Sequence, residues 1–412
     1  MFRIKTMNNI SPKGLLHFPQ GRYEVGKDLA EPDAILLRSA DLHNVDIPKS
    51  VVAVARSGAG VNNIPVASLT ERGIVVFNTP GANANAVKEL TLAALFLSSR
   101  KIADALLWEQ SVLRSFSASG SRSASEGADD PAGLSARIEK EKNSFAGPEI
   151  KGKTLGVIGL GAIGASVAND AHALGMDVIG YDPYISVDAA WSLSRAVRKA
   201  DSMEDLLARS DYVTIHVPLN GDSRGMLDAG LIRAMKKGAR LFNFSRGELV
   251  DEDGILAALN EDRLSCYVTD FPTPALLAHR KVVCLPHLGA STPEAEENCA
   301  EMAVRCLTDF LETGAVKNSV NFPSCKLDRH TGHRLLVINR NIPNMVGQIT
   351  SMLAASKTNI MDMINHHRNE FAYNIIDTEQ ELSPVIAARL QGIEGVLRVR
   401  ITTCRGGITG AA

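Results

Sequence analysis

The chain has 412 residues, enough for two or three domains. Hydrophobic residues make up 45% and charged residues 22%, which excludes a wholly disordered chain, a collagen and a disulfide-stapled miniprotein. Lys and Arg number 44 against 46 Asp and Glu, for a formal charge of −2, so the sequence does not read as a nucleic-acid or membrane binder. Any basic site is local and suited to a small anion.

The six cysteines (Cys266, Cys284, Cys299, Cys306, Cys325 and Cys404) form no CxxC pair. They argue against a disulfide framework or a zinc site and fit a reducing, cytoplasmic setting. The first residues, MFRIKTMNNISPKG, lack the uninterrupted apolar core of a signal peptide. The most apolar stretch, AVKELTLAALFL (86–97), carries Lys88 and Glu89 and is too short to span a bilayer.

Taken in chain order, DAILLRS (33–39), SVVAVARSG (50–58) and GIVVFNTP (73–80) read as buried parallel strands with function at their C-terminal ends. NAVKELTLAALFLSSRK (85–101) has a helical period and no breaker. SFSASGSRSASEGADDPAG (115–133) reads as a solvated surface loop, followed by a charged helix over 136–150.

A second unit opens with strand, glycine turn, helix and strand over 153–183. Strands follow at DYVTIHVP (211–218), ARLFNFSRG (239–247), CYVTDFP (266–272) and VVCLPH (282–287), with helical patterns between several of them. A helix over 292–314 leads into VKNSVNFP (316–323), which reads as a linker. The last 80 or so residues run strand, helix, strand, strand, helix, strand, the ferredoxin-like order.

The expected fold is α/β: two Rossmann-like, doubly wound parallel-sheet domains and a C-terminal ferredoxin-like domain. The expected boundaries are 1–100 with 290–325 for a discontinuous substrate domain, 101–289 for a dinucleotide-binding domain and 330–412 for the small domain.

Gly159-Leu160-Gly161-Ala162-Ile163-Gly164 follows a strand and opens a helix. The first glycine allows the tight turn, the second lets backbone approach a pyrophosphate and Gly164 allows close helix–strand packing. Asp182 ends the next strand, 18 residues after Gly164, where a carboxylate accepts ribose hydroxyls and repels a 2′-phosphate. NAD is therefore favoured over NADP.

Oxidising a 2-hydroxy acid needs a base for the hydroxyl proton and a cation for the carboxylate. Histidine suits the first and arginine the second. Arg246 and His287 sit at C-terminal ends of predicted strands in the dinucleotide unit and are the candidates. Arg38 and Arg56, beside Ser39 and the backbone of Ser57 and Gly58, form a candidate phosphate cradle.

GLGAIG with YDP, then HVPL, NFSRGELVD and PHLGAST, together with RSGAGVNNI (56–64) and NTPGANANAVKELT (78–91), resemble the D-isomer-specific 2-hydroxyacid dehydrogenases. The resemblance runs over about 33–325 and implies that Arg246 is the catalytic arginine and His287 the proton acceptor. It implies cofactor contacts from Gly161, Ala162, Ile163, Asp182, His216, Pro218, Ser223, Ser245, Asp270 and Gly289, with Asn78 and Val87 near the nicotinamide.

The implied substrate is 3-phospho-D-glycerate, oxidised to 3-phosphooxypyruvate at the start of the phosphorylated route to L-serine. The alternatives are a hydroxypyruvate or glyoxylate reductase, or a non-catalytic NAD-sensing regulator. The family's usual Glu before the histidine is missing: no acid lies between Asp270 and His287. Either Glu294 or Glu296 serves instead, or the histidine works unpaired, or activity is reduced.

The tail resembles an ACT domain, which implies a regulatory ligand such as L-serine bound between copies of a homodimer or homotetramer. Asn339, Asn341 and Asn359 are the implied effector residues. The adjacent His366 and His367 point to opposite faces of a strand, so no metal site is expected.

Overall fold

The computed structural model describes residues 1–118, 131–328 and 332–403. The chain divides into two compact units, Met1–Asn83 with Thr292–Ala412, and Ala84–Ser291.

The first unit holds a five-stranded parallel sheet of β1 (Phe2–Met7), β2 (Tyr23–Gly26), β3 (Ala34–Leu37), β4 (Ala53–Arg56) and β5 (Val75–Phe77). Its order is β2-β1-β3-β4-β5, a doubly wound arrangement. β3 and β5 are buried along their whole length, as helix cover on both faces requires.

The helix Pro293–Thr313 covers one face. Ala300, Ala303, Val304, Leu307 and Phe310 share a core with Ile4, Leu36, Ala55 and Phe77. Thr292 caps its start by accepting from the Ala295 amide, Pro293 fills the first turn, and Gly314 at φ +73° ends it.

The second unit holds a seven-stranded parallel sheet in the order β12-β11-β10-β9-β6-β7-β8. Its strands are β6 (Thr154–Ile158), β7 (Asp177–Tyr181), β8 (Arg198–Lys199), β9 (Tyr212–Ile215), β10 (Ala239–Asn243), β11 (Leu264–Thr269) and β12 (Val282–Cys284). The helix Ala84–Ser99 belongs to this unit, not to the first as a boundary at residue 100 implies. Val87, Ala94 and Leu95 pack with Val167, Ala168 and Ala171 of the helix after the glycine turn.

The stretch expected as a loop, 115–133, is helical at both flanks: helices Ile102–Ala118 and Pro131–Glu141 bracket it. The rest of it, 119–130, lies outside the described residues, as does Cys404.

The C-terminal sheet comprises β13 (His333–Arg340), β14 (Ile360–Arg368), β15 (Phe371–Thr378) and β16 (Val396–Thr403). Its order, β14-β15-β13-β16, is the ferredoxin-like one. Helices Met345–Ala355 and Pro384–Gln391 supply its own core, with Leu335, Val337, Ile349, Leu353, Ile376 and Leu390 buried together. Asn344 takes φ +66° before the first helix, a conformation Asn tolerates better than other side chains.

The other face of this sheet is not free. Leu336, Ile338, Tyr373 and Ile375 join the core of the first unit. They bring polar groups that satisfy the last carbonyls of the 293–313 helix, which a helix leaves unpaired. Arg400 donates to Phe310 O and Leu311 O, Thr402 to Glu312 O, Arg334 to Thr313 O at 2.9 Å, and Tyr373 to Gly314 O at 2.7 Å. The cationic side chains also complement the negative end of the helix dipole.

The segment read as a linker is likewise part of the fold. Val320 N donates to Val76 O, and the buried Asn321 accepts from Val76 N and donates to Ile74 O, each at 2.9 Å. It serves the open edge of β5, whose backbone groups need partners.

Candidate functional site

In the second unit every singled-out residue after Gly159 lies at or just beyond the C-terminal ends of the strands, the edge where open parallel sheets bind ligands. The glycine turn follows β6. Gly159 takes φ +85°, and a Cβ there would stand 2.5 Å from His216 O. At Gly164 a Cβ would stand 1.9 Å from Gly159 O. Both glycines are needed for packing alone.

Gly161 is different. It has φ −69°, and nothing lies within 4 Å of where its Cβ would be. It precedes Ala162 and the half-buried Ile163, which open the helix Ala162–Ala173, and no side chain caps that helix start. The unfilled space in front of unpaired helix amides suits a pyrophosphate.

Asp182 stands beside this turn. Its carboxylate accepts from Leu160 N at 2.8 Å and from Tyr184 N at 2.9 Å. The two bonds fix the carboxylate and leave further lone pairs on both oxygens for a ribose.

His216 follows β9. It is buried, its Nε2 shares a hydrogen bond with Thr214 Oγ1 at 2.9 Å, and its Nδ1 has no partner. Burial holds its pKa down to about 3, so the ring is neutral. Ser223 Oγ donates to Pro218 O at 2.7 Å and closes the exposed turn after it. Ser245 Oγ donates to Ile215 O at 2.8 Å, tying the end of β10 to that of β9.

Arg246, Asp270 and His287 follow β10, β11 and β12, three adjacent strands. Arg246 is half-buried, and Nη1 donates to Ser245 O at 2.6 Å. Asp270 is buried, and its Oδ2 accepts from Gly289 N at 2.8 Å. Its Oδ1 has no partner. Burial raises the Asp270 carboxyl above the usual range, while Gly289 N–H and the charges of His287 and Arg246 pull the other way.

His287 is exposed, takes φ +50°, and donates its amide to Asp270 O and Leu285 O, each at 3.1 Å. Its ring meets Phe271 edge-on at 5.1 Å. Val87 lies beside Gly289: a Cβ on the glycine would stand 3.7 Å from Val87 Cγ2.

His287 and Asp270 line a cavity of about 580 Å³ together with Glu248 and Glu252. Sequence reasoning missed these two glutamates. Glu252 accepts from Thr273 Oγ1 at 2.9 Å, so a carboxylate from the next helix is tethered to the segment that lacks its own acid. Nothing in the sequence marks it, because the signal sought was an acid between Asp270 and His287.

In the first unit, Arg38 and Arg56 are at the ends of paired strands β3 and β4. Arg56 Nε donates to Arg38 O at 2.9 Å and Nη1 to Gly60 O. Arg38 Nη1 pairs with Glu296 Oε1 at 2.7 Å, so Glu296 faces an arginine of its own unit. The amides proposed for the cradle are partly spent. Ser57 N donates to Leu37 O and Gly58 N to Arg56 O, while Ser39 N is held by Asn8 Oδ1. Asn78 Nδ2 donates to Ala59 O at 2.6 Å.

The three effector candidates are not together within one chain. Asn339 is not in a loop but inside β13, buried and bonded to Asn374 Nδ2 at 2.7 Å. Asn341 follows the Arg340 end of β13, and its amide donates to Glu370 O. Asn359 precedes β14 at the opposite end of the sheet, bonded to Gln380 and Glu379. Among the described residues no cluster of three or more His, Cys, Asp or Glu could hold a metal, and no helix is long and apolar enough to cross a membrane.

An open cradle at Gly161 and an unpartnered buried oxygen at Asp270 are what a bound dinucleotide would fill. Residues 122–289 match the family model described as D-isomer specific 2-hydroxyacid dehydrogenase, NAD binding domain. The chain carries the NAD-binding domain of that family.

This NAD-binding domain and the sequence around it also resemble named proteins. The D-3-phosphoglycerate dehydrogenase of Methanocaldococcus jannaschii is 31% identical over 353 residues, 83% of this chain and 61% of that protein. The protein of the same name from Haemophilus influenzae is 29% identical over 369 residues, 87% of this chain and 82% of that one. The chain thus spans about three fifths of the first relative's length. A solved structure, cofactor (NAD+)-bound 3-phosphoglycerate dehydrogenase of Entamoeba histolytica, matches with TM-score 0.57 at 24% identity. The match covers 78% of this chain and 98% of that one, a likeness of fold.

Proposed function

We propose that the chain is an NAD-dependent oxidoreductase that converts 3-phospho-D-glycerate to 3-phosphooxypyruvate, the first step of a phosphorylated route to L-serine, in the cytoplasm. The observation that carries this reading is the row of Arg246, Asp270 and His287 on adjacent strand ends of the NAD-binding domain.

Bound NAD supplies the hydride acceptor for carbon 2. Gly161 with Ala162 and Ile163 would cradle its pyrophosphate, on a turn that Gly159 and Gly164 allow to pack, and Asp182 would accept from its ribose. His216, Pro218, Ser223 and Ser245 border the same edge. Asp270 Oδ1, with Val87 and Gly289 beside it, would accept from the carboxamide, and Asn78 is assigned to the same end of the cofactor.

His287 takes the hydroxyl proton, a step for which an imidazole is the suited side chain. The remaining N–H donors of Arg246 hold the substrate carboxylate and polarise the oxygen on carbon 2. Asp270 keeps the histidine loop in its left-handed turn. Arg38 and Arg56, with Ser39, Ser57 and Gly58, border the phosphate of the substrate.

The Arg38–Glu296 pair favours a second reading, in which the substrate is an unphosphorylated 2-hydroxy acid. Initial rates with NAD and 3-phospho-D-glycerate, compared with D-glycerate, separate the two. The main reading expects kcat/KM at least roughly tenfold higher for the phosphorylated compound. Equal or inverted values overturn it.

The C-terminal unit is read as an ACT-like domain for an amino-acid effector such as L-serine. Asn341 and Asn359 lie at opposite ends of one sheet, so a ligand touching both needs two copies, which supports a homodimer or homotetramer. A thermal shift with L-serine that disappears in Asn359→Ala supports the assignment. No shift with L-serine argues against it.

A further inference from the structure

We propose that Glu296 sets the charge preference of the Arg38–Arg56 cradle: its carboxylate is a resident counter-ion that a substrate phosphate must displace from Arg38. The proposal rests on the reading of this cradle as the phosphate side of the site.

The two arginines are not equivalent. Arg56 is built in: its guanidinium donates to the carbonyls of Arg38 and Gly60, and a Cβ on Gly58 would stand 3.2 Å from its Nη1. Arg38 is held by a side chain instead. Its Nη1 pairs with Glu296 Oε1 at 2.7 Å, and the two side chains are 39% and 43% exposed. A half-exposed pair of this kind is weakly held and can exchange partners.

Glu296 projects from the first turn of the 293–313 helix, three residues before the buried Cys299, whose thiol lies in the field of Arg38, Arg56 and Glu296 together. Four charged or polar groups therefore share one corner, and only the Arg38 end of it is exchangeable.

The consequence is selective. A phosphate dianion that reaches Arg38 meets either a carboxylate already on the guanidinium or, once that swings away, a negative charge nearby. Both lower its affinity. A substrate without the phosphate is indifferent to this exchange. Glutamine at 296 keeps the shape and an acceptor oxygen while removing the charge.

The test uses the full chain with Glu296→Gln, Arg38→Gln and the double variant. It has two arms: the KM ratio of D-glycerate to 3-phospho-D-glycerate, and the affinity for inorganic phosphate from thermal shift, which needs no turnover. Glu296→Gln is expected to raise the KM ratio and tighten phosphate binding, each by roughly tenfold. In the Arg38→Gln background the same change is expected to have a clearly smaller effect, because only the through-space repulsion is left to remove.

Phosphate binding that is undetectable, identical in wild type and Glu296→Gln, or equally tightened without Arg38 overturns the proposal. If phosphate binding shifts as expected but phosphoglycerate is not oxidised, the counter-ion role stands and the assigned reaction fails.

Discussion

Asp270 holds Gly289: the carboxylate accepts from the glycine amide at 2.8 Å, while the Asp270 carbonyl accepts from His287 N at 3.1 Å. One residue at the end of β11 therefore pins both sides of Leu288 and holds the proposed base at φ +50°. The other carboxylate oxygen is left buried without a partner.

That unpaired oxygen carries a cost and a prediction. Because burial raises the folded-state pKa of Asp270, the folded protein binds its proton more tightly than the unfolded chain does. The ionised group thus costs stability at neutral pH, and the cost fades as pH falls toward the unfolded value near ~3.9. Asp270→Asn keeps the acceptor for Gly289. It is expected to stabilise the free protein at pH 7 by about 1 kcal/mol, with a smaller gain at pH 4. NAD affinity is expected to fall roughly tenfold, because an acceptor becomes a donor. Urea melts at the two pH values and NAD titration check this.

Gly161 separates binding from folding. An alanine there meets nothing in the protein and suits φ −69°. Gly161→Ala is expected to leave the thermal midpoint within about 1 °C and weaken NAD by at least roughly tenfold, since the methyl group enters the cradle. Gly164→Ala, which collides with Gly159 O, is expected to unfold the protein at much lower temperature. Melting curves and NAD fluorescence titration distinguish the two.

His216 predicts acid sensitivity. Its folded pKa of about 3 lies below the unfolded value, so between about 6.5 and 3 the unfolded chain binds the extra proton. The stability tied to its neutral form is present above pH 6.5 and is lost as pH falls, by up to about 1.4 kcal/mol per unit. From pH 7 to 4.5 wild type should lose about 2–3 kcal/mol more than His216→Gln. Equal losses in urea melts would assign the effect elsewhere.

Much of this was legible in the residues. β3 and β5 read as strands because AILL and VVF are apolar throughout, and the glycine turn and Asp182 declared themselves by spacing. β1 and β2 did not, because FRIKTM and YEVG mix charges into short strands whose charged side chains stay half-exposed or exposed. The docked face of the C-terminal sheet was hidden for a different reason. An arginine on a strand reads as solvent-facing, yet Arg334 is fully buried against Asp377 and a helix end remote in sequence. Glu252 was overlooked for the same reason, since its neighbourhood to His287 is made by packing and not by spacing.

The docking has its own test. Arg334 forks onto Asp377, Nε to Oδ1 at 2.6 Å and Nη2 to Oδ2 at 2.7 Å, with both side chains fully buried. Asp377→Asn removes the carboxylate charge onto which the buried guanidinium forks and is expected to cost about 3–5 kcal/mol. Because the sheet shares a core with the 293–313 helix, the loss should lower the melting of the first unit as a whole. A separate early transition confined to the C-terminal sheet, seen by hydrogen exchange, would contradict shared packing.

The most direct test of the assigned chemistry is single-turnover NADH formation from NAD and 3-phospho-D-glycerate in wild type and in His287→Ala. A proton acceptor at that position predicts a rate lower by about 10²–10⁴-fold in the variant, with NAD affinity retained. An unchanged rate, or no NADH from wild type, contradicts the assignment of His287 as the base.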